Sequence, residues 1–421
     1  MSSYDIAVIG GGAAGSMASI IAALSRKSIV LVESNSSLGH KILLSGKKRC
    51  NITNSADIDS FIEVFGKQGR FLRQAFNSFF NDDLIAFFKD RGLDMKVERQ
   101  GRIFPVTDKS SSVVEVLERA ISESNNIKTL FNTPLKGISR ERESFSLGLE
   151  NGKKIYAKKV IIATGGASYK MTGSLGDGFG FAKKLGHTIT PLNPGLVPLK
   201  TQEVWVKRLQ GLSLKNIRVT FSFNKAGGSK KRKKIVSPIG EIMFTHFGVS
   251  GPLILDLSAD VISLLEEHNH VEMLIDLKPG LSNEKLKERI LKEIEAKSKM
   301  KIKNVIRSLL PKRMASIFLY ISGISEDKKV NTLSREERHK IVQLFKELPL
   351  TVTGSLAIDS AMVTNGGVSI EEINPRTMES RVVPGLYFAG EIIDGCAKSG
   401  GYNLQQAFST GYLAGRSVVD G

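Results

Sequence analysis

Tyr4 to Glu33 reads "YDIAVIGGGAAGSMASIIAALSRKSIVLVE". A short apolar run, a glycine turn, a stretch of small and apolar residues, and a second apolar run ending on an acid together predict strand, helix and parallel strand. Gly10, Gly12 and Gly15 fit G-x-G-x-x-G, with Ala13 and Ala14 between them. Gly10 permits the tight turn, Gly12 lets a pyrophosphate approach the backbone, and Gly15 lets helix and strand pack closely. The helix N-terminus then faces phosphates, and Glu33, followed by Ser34, can accept hydrogen bonds from ribose hydroxyls. This context points to a dinucleotide site over a tight turn with no ligand.

The chain has 421 residues, which predicts two or three domains. Its 41% hydrophobic and 24% charged content is ordinary for soluble globular proteins. Two cysteines, Cys50 and Cys396, make neither a disulfide framework nor a CxxC pair, as expected in a reducing compartment. The N-terminus lacks the signal-peptide pattern, and the apolar runs are shorter than a membrane span, so a cytoplasmic location is expected. The net charge of +18 favours phosphate-bearing partners. The lysines are scattered through every segment, however, and read first as a solvated surface. The run Lys230 to Lys234 reads as a solvated hairpin tip, with RNA or an anionic surface as the alternative; it lacks interleaved aromatics for base stacking.

Further along, Phe76, Phe79, Phe80, Leu84, Phe87 and Phe88 form a helical core stripe within residues 70–92. A hairpin through Asn151-Gly152 leads to a strand ending in Ala163-Thr164-Gly165-Gly166. From Pro191, short strand-like runs suggest a β-barrel or sandwich. From Leu281, helices follow, with Ser282 as N-cap and Ser334 with Glu337 as a capping box. The predicted fold class is α/β: a discontinuous Rossmann-like domain (1–190 and 367–421), an inserted β-barrel (191–280 and 350–366) and an inserted helical domain (281–349).

The fingerprint's place at the N-terminus, with the chain returning to this domain at its end, favours FAD. Gly390 and Glu391 would approach the pyrophosphate and ribityl chain, and Asp394 can bind a ribityl hydroxyl. Gly400, Gly401, Tyr402, Asn403 and Leu404 can bring amides at a helix N-terminus to the flavin's carbonyl edge, where the dipole stabilises negative charge.

The stretches "SGKKRCNITN" (45–54), "GRIFP" (101–105), "ATGGASYKMTGSLGDGFGFAKKLGH" (163–187), "GEIMFTHFGVSGP" (240–252) and "GLYFAGEIIDG…GGYNLQQAFSTGYLAG" (385–416) resemble those of the HI0933-like (YhiN/BaiN-like) bacterial flavoproteins. The resemblance spans nearly the whole chain. It implies a glutathione-reductase-type FAD domain interrupted by a barrel, itself interrupted by helices. It also implies that Lys41, Gly46, Arg49, Cys50 and Asn51 line or support the FAD site. The sequence departs from the family pattern in three places. Lys47 and Lys48 replace two glycines of Ser-Gly-Gly-Gly-Arg-Cys-Asn, Lys170 replaces a proline, and Cys396 stands where an aspartate or glycine-rich stretch is expected.

Arg49 and Lys48 could lower the pKa of Cys50. A Cys50–Cys396 redox pair is conceivable, but chance rarely gives disulfide geometry, and a buried loop cysteine is the default. His187 and His246 could exchange protons, although such histidines more often bond a turn. His246, Lys48 and Tyr402 are the catalytic candidates. No metal-ligand spacing appears, and no second GxGxxG follows a strand, so NAD(P)H as electron donor would need a different site. The expected function is an FAD-dependent oxidoreductase that passes hydride between a small amine or enone and non-covalently bound FAD. The alternatives are a nucleic-acid (tRNA)-modifying flavoprotein and a non-catalytic FAD-binding scaffold or sensor. Oligomeric state is not legible in the sequence.

Overall fold

The computed structural model describes residues 2–223 and 233–420. Lys230, Lys231 and Arg232 of the basic run lie outside the described residues. The chain forms two compact units: Met1–Gly195 with Ala357–Gly421, and Leu196–Leu356.

The first unit is built on the opening motif. Strand β1 (Ser2–Ile9), helix α1 (Ala13–Ala22) and strand β2 (Ile29–Val32) follow in order, and β1 pairs in parallel with β2 from Ile6↔Ile29 to Ile9↔Val32. Strand Ile127–Leu130 extends the sheet beyond β2, and Lys154–Ile162 pairs in parallel with the other edge of β1. The far edge of Lys154–Ile162 is shared. Its first half takes the antiparallel strand Ser144–Leu149, and its last three residues take the parallel strand Leu386–Phe388 from the C-terminal piece. The core is a parallel sheet buried on both faces, so β2 is apolar throughout with no alternation.

α1 packs against the C-terminal helix Tyr402–Asp420 through small residues. A Cβ on Gly411 would lie 2.3 Å from the Ala14 carbonyl oxygen, and one on Gly415 would lie 2.5 Å from that of Ala18. The phenylalanine stripe is core, but it is divided between helices Gly69–Ser78 and Asn81–Lys89. The break falls at Phe79, which is extended, and at Phe80, whose amide donates to the Asp83 carboxylate at 2.8 Å.

The second unit carries an antiparallel sheet. Strand Ser213–Phe223 pairs with Gly240–Phe244 and also with Val271–Asp276, which closes the sheet into a barrel through Gly248–Ser250, Leu199–Thr201 and Leu348–Ser355. Helices Asn283–Ala296, Ile302–Leu309, Lys312–Ser322 and Arg335–Lys346 belong to this same unit. Ile290, Phe318 and Phe345 are buried in one cluster with Phe221 and Val352 of the barrel. Residues 193–195 and 363–365 pair as a short antiparallel ribbon and belong to the first unit.

Candidate functional site

The glycines of the fingerprint have three different surroundings. Gly10 has φ +98, and a Cβ there would meet the Ala163 carbonyl oxygen at 2.6 Å. A Cβ on Gly15 would meet the Gly10 carbonyl oxygen at 1.8 Å. Around Gly12, which caps α1 with no side-chain partner, a Cβ would meet nothing within 4 Å. The turn is thus closed on the sheet side and open where α1 presents its free amides, the arrangement an anion needs. Gly390 seals the same end of α1: its amide donates to Thr410 Oγ1 at 2.9 Å, and its Cα abuts the methyl of Ala14.

Glu33 is buried at the end of β2. Its Oε2 accepts the Gly11 amide at 2.6 Å, while Oε1 accepts Ser34 Oγ and the Asn35 amide and side chain. The carboxylate therefore fixes the glycine turn, and Oε2 keeps one acceptor position for a ribose hydroxyl.

A second cluster joins four distant segments. The Lys41 ammonium donates to both Glu391 oxygens at 2.9 and 2.6 Å and to Ser168 Oγ at 2.7 Å. Glu391 Oε1 also accepts Ser168 Oγ at 3.1 Å and the Thr364 amide at 2.7 Å. Thr364 Oγ1 in turn accepts the Ala167 amide at 2.8 Å. A Cβ on Gly166 would fall 2.3 Å from Thr364 Oγ1. Sequence reading named Lys41, Gly166 and Glu391 separately. It missed Thr364 altogether and Ser168 as a member of the site, although Ser168 lies in the quoted "ATGGAS".

The stretch "SGKKRCN" leaves the helix α2 (His40–Lys48), which contains a kink: Gly46, Lys47 and Lys48 have φ of 56, 59 and 68. Arg49 then turns back onto Glu98 and Asp108 and stacks its guanidinium 4.3 Å from the centre of the Phe104 ring. Arg49 holds Glu98 below the usual carboxylate range, and Lys96 with Arg49 does the same for Asp108. Cys50 is fully buried, and burial pushes its thiol up to about 12, so it stays protonated and unreactive near neutrality. Neither cysteine is in a disulfide.

Asn54 ties this loop to the C-terminal turn by donating to the Gly400 carbonyl at 3.0 Å, and a Cβ on Gly401 would strike the Thr53 carbonyl oxygen at 2.3 Å. Asn403 bonds the main chain of Ala397 in both directions. Tyr402 packs edge-on against Phe61 at 4.6 Å, and Leu404 lines the core. Burial raises the pKa of Asp394, against hydrogen bonds from Thr190 and Gln68.

His187 is a core residue. Its ring bonds the Ala182 carbonyl and Ser380 Oγ, and burial lowers its pKa. His246 is exposed at the turn following Gly240–Phe244 in the second unit. Among the described residues, no group of three or more His, Cys, Asp or Glu is arranged to hold a metal, and no helix is long and apolar enough to cross a membrane.

Two buried polar atoms test whether a dinucleotide fits. Asn51 Oδ1 and Thr164 Oγ1 are among the buried side-chain atoms without a hydrogen-bond partner among the described residues, as are atoms of Thr53 and Gln405 in this unit and of Thr201, Glu203 and Arg218 in the second. Such atoms cost about 1–3 kcal/mol each unless something satisfies them. Together with the open face of Gly12 and the free amides of α1, the Asn51 and Thr164 atoms fit a polar, pyrophosphate-bearing cofactor.

Residues 4–417 match the HI0933-like protein Rossmann domain. Among curated proteins, a 3-dehydro-bile acid delta(4,6)-reductase of Clostridium scindens is 30% identical over 99% of both chains. A ribosomal RNA dihydrouridine synthase of Escherichia coli is 28% identical over 100% of this chain and 99% of that one. Among solved structures, a 3-ketosteroid delta1-dehydrogenase of Sterolibacterium denitrificans superposes with TM-score 0.54 at 12% identity, covering 100% of both chains. A flavocytochrome c3 fumarate reductase gives 0.52 at 17% identity, covering 100% of this chain and 78% of that one. With a glycine turn and its acid built from the same segments that carry the family match, the chain belongs to the HI0933-like family.

Proposed function

We propose that this chain is an FAD-dependent oxidoreductase that saturates a carbon–carbon double bond conjugated to a carbonyl group. The observation that carries the reading is the cradle: a Gly12 face free of side chains, the amides of α1, and the unpartnered Asn51 Oδ1 and Thr164 Oγ1. The amides of α1 would bind the pyrophosphate, Glu33 Oε2 the ribose, and Asn51 and Thr164 the remaining polar edge. The Lys41–Glu391 pair ties α2, residues 166–168, Thr364 and Gly390 together beside the glycine turn. The N-terminus of Tyr402–Asp420 favours negative charge placed before it. FAD bound there supplies hydride transfer.

The two curated relatives support an enone over an amine. A delta(4,6)-reductase of a 3-dehydro compound and a synthase of dihydrouridine are both named for the saturation of a double bond conjugated to a carbonyl. Such a reduction adds two electrons and two protons: hydride goes to the β-carbon and a proton to the α-carbon, with NAD(P)H as the class of reductant. Both named substrates are also anions, one a carboxylic acid and one a polymer of phosphodiesters. RNA as substrate is the second reading, favoured by the net charge of +18.

Anaerobic flavin absorbance is the test. NADH or NADPH should bleach the bound flavin, and a conjugated dienone should restore its colour while an amine panel leaves oxidised flavin unchanged. Protein that purifies without flavin and takes up none on titration would overturn the reading.

A further inference from the structure

We propose that Lys47 and Lys48 bind an oxyanion, carboxylate or phosphate, carried by the substrate at the rim of the candidate site. The inference rests on the reductase reading above.

Three observations support it. First, Gly46, Lys47 and Lys48 are consecutive left-handed residues. That conformation suits glycine, and a side-chain-bearing residue held there costs roughly 1–2 kcal/mol. Two lysines stand where glycine would sit without strain. Second, both side chains are exposed, and neither ammonium has an ion pair or hydrogen bond among the described residues. The acids nearest in this network, Glu98 and Asp108, are already taken by Arg49 and Lys96. The positive charge of Lys47 and Lys48 is therefore uncompensated.

Third, the segment bearing them is tied to the candidate cofactor site on both sides. Gly39, at its start, donates its amide to the Gly11 carbonyl at 3.0 Å, and Lys41 grips Glu391. On the other side, the Gly46 Cα lies close enough to the Asn51 amide that a Cβ would sit 2.7 Å from it, and Asn51 carries the unpartnered Oδ1. A substrate whose reducible bond sits at the candidate site would place an anionic appendage near these ammonium groups.

The test uses the flavin-loaded full chain and the double variant Lys47→Gly/Lys48→Gly. Glycine suits both φ values, so the variant should melt at or above the wild-type temperature, and loss of binding cannot be ascribed to misfolding. The probes are a 3-oxo-4,6-diene bile acid, its uncharged methyl ester and a uridine-rich RNA. Lys153→Gln/Lys154→Gln, two exposed lysines of a hairpin in the same unit, removes equal charge elsewhere.

We expect the double-glycine variant to bind one anionic probe about tenfold more weakly and the ester as before, with the control variant unchanged. A weakened bile acid identifies the carboxylate. Weakened RNA binding, with a salt slope shallower by about 2, identifies phosphate. Unchanged affinities, equal losses in the control or for the ester, or a wild-type protein that binds neither anion would each overturn the proposal. Retained flavin in those cases leaves the oxidoreductase reading standing, whereas absent flavin removes that reading itself.

Discussion

Cys50 shows how far a residue's neighbours in sequence can mislead. Beside Lys48 and Arg49 it looks activated, yet it is buried, and Arg49 spends its charge on Glu98 and Asp108. Burial raises its pKa from the ordinary 9.0 to about 12. A raised acid stabilises the fold fully below the unfolded value. That contribution is lost as pH climbs from about 9 through about 12, because unfolding then releases a thiol that ionises. At about pH 10.5 the loss should be on the order of 2 kcal/mol. Urea midpoints at about pH 8 and pH 10.5 should therefore fall further for wild type than for Cys50→Ala, and equal falls would refute the assignment.

Between elements, the contact of α1 with the C-terminal helix depends on the missing side chains of Gly411 and Gly415. Gly411→Ala drives a methyl against backbone that cannot move away, and should cost about 1–3 kcal/mol, read as a lowered melting temperature. Gly180 is the contrasting case. It is exposed within helix Asp177–Lys184, and an added Cβ there would meet nothing within 4 Å. Gly180→Ala should raise stability by about 0.5–1 kcal/mol through helix propensity. Two glycine-to-alanine changes of opposite sign would separate packing from backbone entropy. The phenylalanine stripe makes a related point: its spacing identified core, but only the extended Phe79 and the Asp83 cap of Phe80 divide it into two helices.

For the whole molecule, ligand binding should appear as stability of the first unit. Free FAD at about 100 times its dissociation constant should stabilise that unit by about 2.7 kcal/mol. Calorimetry should show a transition that moves upward with FAD and coincides with flavin release; a thermogram indifferent to FAD would contradict the cradle. The chain reaches this unit twice, because Leu386–Phe388 must pair with Lys154–Ile162, and the short ribbon of 193–195 with 363–365 brings Thr364 to Glu391.

The strand–glycine turn–helix–strand unit and its acid are legible in the sequence. They follow from local chemistry: apolar periodicity, glycine where Cβ has no room, and turn residues between strands. The segments of Gly166 and Glu391 can be named the same way, whereas Lys41 is named only through the family resemblance. How those segments spend their polar groups is settled only in three dimensions. Lys41 and Glu391 are 350 residues apart and satisfy each other; Arg49 is drawn to Glu98 and Asp108; Asn51 and Thr164 are left with unpaired atoms. Pairing of this kind depends on distances that no local pattern encodes, and so does the left-handed path that sets Lys47 and Lys48 out into solvent.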